Sequence, residues 1–211
     1  MFASLFSHPE NSIVLTENLA MRVCVFCASS AKVDKVYFDQ TEVVAQELVK
    51  AGATIVYGGG SVGLMGCLAD KALSLNGEVI GILPRFMEKV EWGHKELTQM
   101  ILVKDMRERK KLLVEDVDAV IALPGGCGTL EELMEVYTLK RLGKFTKPIV
   151  VLNSNGFYSH LELLIEKMIE EKFMRPEHRQ IWQLVNTPEE IIPAIHSAPR
   201  WDESAIEFAA V

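Results

Sequence analysis

Short apolar runs alternate with longer amphipathic stretches along the chain, which is the sequence form of repeated βαβ units and a parallel sheet. Arg22–Cys27, Thr54–Tyr57, Val79–Leu83, Met100–Val103, Ala119–Leu123 and Ile149–Leu152 read as strands. Many of them are continuously apolar, as strands covered on both faces tend to be. Helical patterns lie near Tyr37–Lys50, Leu64–Asn76, Met106–Val117, Leu130–Leu142 and Phe157–Lys172. A last helix follows Thr187-Pro188-Glu189-Glu190, where an N-cap threonine, a proline at the first helical position and early acids mark a start. The pattern predicts a single-domain α/β fold, a doubly wound, Rossmann-like, mostly parallel sheet with helices on both faces. The domain is expected over 21–196, preceded by an extension over 1–20 and followed by a tail over 197–211 that packs on the surface or on a partner.

Composition narrows the function classes. The chain has 211 residues, a length suited to one α/β domain, and no shift in composition divides it. A net charge of −7 and a single basic cluster, Arg107 to Lys111, argue against nucleic-acid binding. Small anionic ligands remain compatible, because a local potential can oppose the net charge. The four cysteines form neither a disulfide framework nor a repeated metal pair, which suits a reduced, cytoplasmic protein. Cys24 and Cys27 fit C-x-x-C but lie in or beside the apolar run Val23 to Phe26, so they read as buried thiols. His8, His94, His160, His178 and His196 show no metal-ligand spacing, and no metal is expected. Within residues 1–20, His8-Pro9-Glu10 interrupts the apolar stretch and the cationic start of a signal peptide is missing. No run approaches the apolar length that crosses a bilayer, so a soluble protein without membrane contact is expected.

Ligands of open α/β sheets bind outside the carboxyl ends of the strands, where the strand order reverses. Four loops leave predicted strand ends with suggestive residues: Ala28-Ser29-Ser30, Gly58 to Gly66, Pro84 to Lys95 and Pro124 to Thr129. In the last, Pro124-Gly125-Gly126-Cys127-Gly128-Thr129-Leu130-Glu131-Glu132 joins a strand to a helix expected to begin at Thr129. The first N–H groups of a helix have no intrahelical partner, its dipole is positive there, and glycine lets an anion approach the main chain. Thr129-Leu130-Glu131-Glu132 also fits a capping box, which would tie Glu132 to the helix start. That explains one glutamate and none of the glycines.

Gly58-Gly59-Gly60-Ser61-Val62-Gly63 fits G-x-G-x-x-G after a strand. The acid that would hold a ribose at the end of the following strand is missing from Ile80-Gly81-Ile82-Leu83-Pro84-Arg85, so a tight turn with close helix packing competes with a nucleotide contact. Met106-Arg107-Glu108-Arg109-Lys110-Lys111 has the form of a solvated helix face, yet it opens a helix right after a strand. That puts Arg109 or Lys110 within reach of the strand-end crevice. Glu91 stands in a loop beside Trp92 and His94, either as an exposed acid or as a site acid; Trp92 either stacks on a base or covers the core.

Together these motifs resemble the LOG ("lonely guy") family of cytokinin-activating phosphoribohydrolases, long mislabelled as lysine decarboxylases. The family's P-G-G-x-G-T-x-x-E reads as Pro124 to Glu132, its M-x-x-R-K as Met106, Arg109 and Lys110, and its early glycine-rich loop ending in G-L-M-G as Gly59 to Gly66. The resemblance covers about residues 21 to 195. It implies hydrolysis of the N-glycosidic bond of AMP, of N6-substituted adenosine 5′-monophosphates, or of both, to free base and ribose 5-phosphate. It implies Arg109 and Glu132 as the catalytic pair. Gly125, Gly126, Cys127, Gly128, Thr129, Leu130 and Glu131, with Lys110, would hold phosphate and ribose, Arg109 would contact the substrate, Glu91 would be a further substrate acid, and Ser29 is a weaker correspondence. No cofactor is implied, and a homodimer is.

Cys127 stands where the family often has an aromatic residue, and Thr138-Leu139-Lys140-Arg141-Leu142-Gly143 lacks the usual tryptophan after that threonine, so base preference stays open. The residue chemistry agrees with the implied reaction, because a carboxylate beneath a ribose stabilises positive charge at C1′ and orients a water. A phosphate held remotely at the helix start fixes the sugar against it. The alternative from another class is a non-catalytic nucleotide or molybdenum-cofactor carrier of the same fold. Lysine decarboxylation lacks support, because nothing marks a pyridoxal-phosphate lysine with its pyridinium partner.

Overall fold

The structure, a computed structural model, describes residues 21–88 and 93–209. The expected extension over 1–20 and the candidates Glu91 and Trp92 lie outside the described residues. The elements run β1 (Arg22–Phe26), α1 (Lys35–Lys50), β2 (Thr54–Tyr57), α2 (Gly63–Ser74), β3 (Val79–Pro84), α3 (Arg85–Glu88), β4 (Gln99–Val103), α4 (Met106–Val114), β5 (Ala119–Ala122), α5 (Cys127–Arg141), β6 (Ile149–Leu152), α6 (Ser159–Glu170), β7 (Gln183–Val185) and α7 (Ile191–Ser197). The strands form one sheet in the order β4-β3-β2-β1-β5-β6-β7. Every pairing between them is parallel, so the sheet is more uniform than the mostly parallel one expected. Gly60, just beyond the end of β2, and Gly93 add an isolated antiparallel bridge.

Strand alternation explains the three layers. Val23 and Val25 of β1 join Ile55, Tyr57 and Ile121 in a core with α1, α2 and α7. Cys24 and Phe26 point the other way, to Val56, Ile82, Val120 and the residues Leu113, Leu133, Val136 and Tyr137 of α4 and α5. Both faces are dry, which is why the strands are apolar without interruption. Leu133 is fully buried and contributes on the order of 1.5–3 kcal/mol from transfer alone. Cys24 and Cys27 are buried free thiols belonging to the two opposite cores, so the C-x-x-C spacing is a packing pattern.

Three local differences from the sequence reading have physical causes. α4 ends at Val114 rather than Val117, because Glu115 turns extended and Asp116 adopts a left-handed φ of 54°, which redirects the chain into β5. β7 carries only three residues, too few for a periodic signal, and is fixed by its register with β6. The four-residue α3 is likewise below the length at which helical periodicity shows. Thr187 is an N-cap followed by proline and early acids, as the sequence predicts, and it also forms a capping box with Glu190. The tail beyond Ser197 packs on the end of α5: Trp201 Nε1 donates to Lys140 O at 2.7 Å, and Arg141 Nη1 to Ala209 O at 3.2 Å.

The strand order reverses at β1, which pairs with β2 on one side and β5 on the other. The loops leaving β1 and β5 therefore part at this point and open a crevice above the carboxyl ends of the strands.

Candidate active site

α4 delivers the first candidate side chain. Asp105 caps the helix by accepting from Glu108 N at 3.0 Å, while Glu108 Oε2 accepts from Lys104 N at 2.7 Å. This fixed start sets the rotation of α4, so that Arg109 reaches back over the sheet. Its Nε donates to Ile82 O at 3.2 Å, at the end of β3.

α5 delivers the second. The helix begins at Cys127 with Gly126 as its N-cap, not at Thr129, and no side chain caps it. Its first backbone hydrogen bond runs from Leu130 N to Gly126 O at 3.0 Å. The amides of Cys127, Gly128 and Thr129 thus precede the first intrahelical bond, at the positive end of the helix dipole. Thr129 is one turn too far along to be the N-cap, so the capping box expected of Thr129 and Glu132 is not formed. Glu132 is instead turned inward, where its Oε1 lies 2.9 Å from Arg109 Nη1, with the two side chains only 10% and 11% exposed.

These groups face a cleft of about 510 Å³ at the reversal point. Ser29, Gly58, Arg109, Glu132 and the backbone from Gly126 to Thr129 form its polar wall; Met65, Phe86, Met87 and Met106 form an apolar one. The glycine-rich loop after β2 serves this geometry. A Cβ on Gly58 would sit 2.2 Å from Arg109 Nη2, so the missing side chain is the space the guanidinium occupies. Gly63 has a φ of +67°, and a Cβ there would meet Ser29 C at 2.5 Å. Only glycine allows α2 to start that close to the β1 loop. The loop is thus in large part a packing device, with Gly58 at the cleft itself.

The electrostatics of Glu132 follow from its surroundings. Burial pushes its carboxyl above the usual carboxylate range, Arg109 pulls it down, and Glu131 and Glu135 on the same helix push it up again. The thiols beneath are inert: burial raises Cys24 strongly and Cys27 likewise, with Glu132 adding in the same direction.

Of the residues singled out in the sequence, Ser29, Arg109, Gly126, Cys127, Gly128, Thr129 and Glu132 come together at this cleft. Gly125 lies just behind it, under the Thr129 side chain. Leu130 is 40% exposed on the outer side of the first turn. Lys110 and Glu131 are paired with each other at 2.5 Å and do not line the cleft; Lys110 lines a groove between α4 and α5 instead. Phe86 and Met87 were missed. The sole signal was that they fall in the loop following β3, one of the four strand-end loops. Among the described residues there is no cluster of His, Cys, Asp and Glu fit to hold a metal ion, and no helix long and apolar enough to cross a membrane.

Comparison with known proteins places this geometry in a family. Residues 65–195 match a family described as "possible lysine decarboxylase". The chain is 40% identical over 176 residues to the cytokinin riboside 5′-monophosphate phosphoribohydrolase LOG5 of Arabidopsis thaliana, covering 83% of this chain and 77% of the relative. The protein belongs to the LOG family. LOG2 of the same plant is 39% identical over 203 residues, or 92% of this chain and 95% of its own. A probable phosphoribohydrolase of the same name type, LOGL6 of Oryza sativa subsp. japonica, is 39% identical over 193 residues, covering 91% and 77% of the two chains. The LOG fold extends to more distant structures. The molybdenum cofactor carrier protein of Chlamydomonas reinhardtii superposes with a TM-score of 0.65 at 17% identity, over 85% of this chain and 97% of the carrier. The molybdenum cofactor binding protein of Rippkaea orientalis gives 0.64 at 21%, over 84% and 96%. At these identities the likeness is one of fold.

Proposed function

We propose that the protein hydrolyses the N-glycosidic bond of N6-substituted adenosine 5′-monophosphates, and of AMP, to free base and ribose 5-phosphate. The observation that carries this reading is the nearly buried Arg109–Glu132 pair facing the uncapped start of α5 across one cleft. LOG relatives named as phosphoribohydrolases of cytokinin nucleotides support the same chemistry.

In this reading the amides of Cys127, Gly128 and Thr129 hold the 5′-phosphate, and Glu132 lies beneath the ribose. The base departs with the C1′–N9 electron pair, leaving positive charge on the sugar that the carboxylate stabilises. Water adds its hydroxide to C1′, and its proton passes, directly or through Glu132, to the base. Arg109 keeps Glu132 ionised and oriented. Phosphate binding fixes the sugar, so nucleosides lacking it react poorly. Met65, Phe86, Met87 and Met106 offer an apolar wall suited to a base carrying an alkenyl substituent.

We read the protein as a cytoplasmic homodimer without a cofactor, its domain spanning 21–196. A second copy would fit the exposed apolar side chains here: Phe86 and Met106 on the cleft wall, Val62 just before α2 and Leu130 in the first turn of α5, each more than a third exposed. The test is incubation of purified protein with AMP and isopentenyl-AMP. Release of base and ribose 5-phosphate is expected; tight binding of either nucleotide without turnover would replace the enzyme by a carrier.

A further inference from the structure

The apolar wall of the cleft comes from three elements: Met65 from α2, Phe86 and Met87 from α3, and Met106 from α4. α3 is the least self-sufficient of them. It has four residues and buries none, and a single turn of helix does not hold its own shape in water. Its placement therefore comes from the chain on either side. At one end β3 runs directly into it and pairs with β4 as far as Pro84. At the other, among the described residues, the chain is held at Gly93 and His94. Gly93 bridges to Gly60, His94 N donates to Gly59 O at 2.9 Å, and the His94 ring is fastened to α2.

That fastening uses both ring nitrogens. Glu96 N donates to His94 Nδ1 at 3.2 Å, so the neutral ring carries its proton on Nε2, which donates to Asp70 Oδ1 at 2.9 Å. The His94 side chain is only 7% exposed, whereas that of Asp70 is 72% exposed and stands on α2, the helix that carries Met65. Glu88, the last residue of α3, lines the same hollow as Asp70 and His94. Neither His94 nor Asp70 lines the cleft itself.

We propose that His94 and Asp70 are positioning residues that determine specificity: their hydrogen bond ties the chain beyond α3 to α2, sets Phe86 and Met87 against Met65, and so fixes the preference for an N6-alkenyl adenine over adenine. This rests on the proposed function, in which that wall receives the base. A hydrogen bond to so exposed a carboxylate is of modest strength, too small to decide whether the protein folds. It is enough to bias a one-turn helix that buries no side chain of its own. The phosphate end of the cleft is built separately, from the start of α5, so the clasp acts on the base and leaves ribose 5-phosphate alone.

The test compares wild type, Asp70→Ala, Asp70→Asn, His94→Leu and the double variant D70A/H94L. Two readings are taken on each: calorimetric binding of N6-isopentenyladenine and of ribose 5-phosphate, and kcat/KM for isopentenyl-AMP and AMP. Asp70→Ala should weaken binding of isopentenyladenine about tenfold and leave that of ribose 5-phosphate unchanged. The ratio of kcat/KM for isopentenyl-AMP to that for AMP should fall by a similar factor, through KM. Asp70→Asn keeps an oxygen that accepts from Nε2 and should behave as wild type. His94→Leu should match Asp70→Ala, and the double variant should be no worse than either, as expected of two residues acting through one contact. If His94→Leu fails to fold, the two variants at the exposed Asp70 decide. An Asp70→Ala protein with wild-type affinity for isopentenyladenine would overturn the proposal, as would a wild type that does not bind this base. Equal loss of both ligands in Asp70→Ala would also overturn it, making the clasp a general structural support. Binding needs no turnover, so a wild type that binds both ligands yet cleaves no nucleotide would refute the proposed function while the role of the clasp is still decided.

Discussion

Arg109 and Glu132 meet at 2.9 Å from the first turn of α4 and the second turn of α5, and neither helix needs the contact for its own start. α4 is capped by Asp105, and α5 begins at Cys127 with no side-chain cap. Glu132 is thus free of the structural duty a capping box would give it. Glu132→Gln keeps the shape and an oxygen acceptor for Arg109 while removing the charge. It is expected to lower kcat by about 100-fold or more and to leave the helical circular-dichroism signal unchanged. A variant with wild-type turnover would remove Glu132 from the reaction.

The same carboxylate should set the pH dependence. Its folded pKa is raised chiefly by burial, with Arg109 opposing, and the proposed mechanism uses the ionised form. Lowering the pH protonates it, so kcat should fall on the acid side with a midpoint above the ordinary carboxylate value of 4.5. In Arg109→Ala the opposing charge is gone, and that limb should move to still higher pH. A pH–rate profile of both proteins checks the direction.

Gly58→Ala separates folding from activity. The new methyl would lie 2.2 Å from Arg109 Nη2, the far end of a flexible side chain that can move aside, and Gly58 does not need a positive φ. The protein should fold with a melting temperature near that of wild type. The displaced guanidinium should cost kcat roughly 10- to 100-fold. An active Gly58→Ala would mean that the position of Arg109 is not critical.

Much of this was legible from residue pattern alone, and what was not has identifiable causes. Most of the six strands could be placed because they are covered on both faces and so read as unbroken apolar runs, as in Ile149–Leu152, whereas the edge strand β4 is apolar but only partly buried. The pairing of Arg109 with Glu132 could not be read from spacing, since they are 23 positions apart on helices whose rotation is fixed by Asp105 and Gly126. Local pattern was misleading at Thr129, where T-x-x-E imitates a cap but the chain starts its helix earlier, on glycine. It was equally blind at Lys110, because adjacent residues on a helix point about 100° apart and Arg109 takes the inward direction.

The glycines of the α5 loop should not behave alike. A Cβ on Gly125 would meet Thr129 Oγ1 at 2.1 Å and Thr129 Cβ at 2.5 Å, a short branched side chain with little room to yield; nothing lies within 4 Å of one on Gly126 or Gly128. Gly125→Ala is therefore expected to destabilise the fold by about 1–3 kcal/mol. Gly126→Ala and Gly128→Ala should melt near wild type yet raise KM for the nucleotide, because the methyl intrudes where the phosphate would approach the amides. Thermal melts beside Michaelis constants for AMP distinguish the two behaviours.

Lys140 offers a test far from the cleft. It is 2% exposed near the end of α5, with its Nζ donating to Lys147 O at 2.9 Å and lying 5.8 Å from the Trp201 ring, and burial lowers its pKa from 10.5 to about 8. Between these values the unfolded chain holds a proton that the folded one has released, so stability gains with rising pH. The penalty is complete below pH 8 and disappears above about 10.5. Its full size is about 3 kcal/mol. Lys140→Met loses one hydrogen bond but has no amine to desolvate, so its stability relative to wild type should be highest at pH 7 and decline steadily toward pH 10. Urea unfolding of both proteins at pH 7, 8, 9 and 10 measures that difference; a value independent of pH would mean that Lys140 keeps its proton in the fold, held by the Lys147 carbonyl and the Trp201 ring.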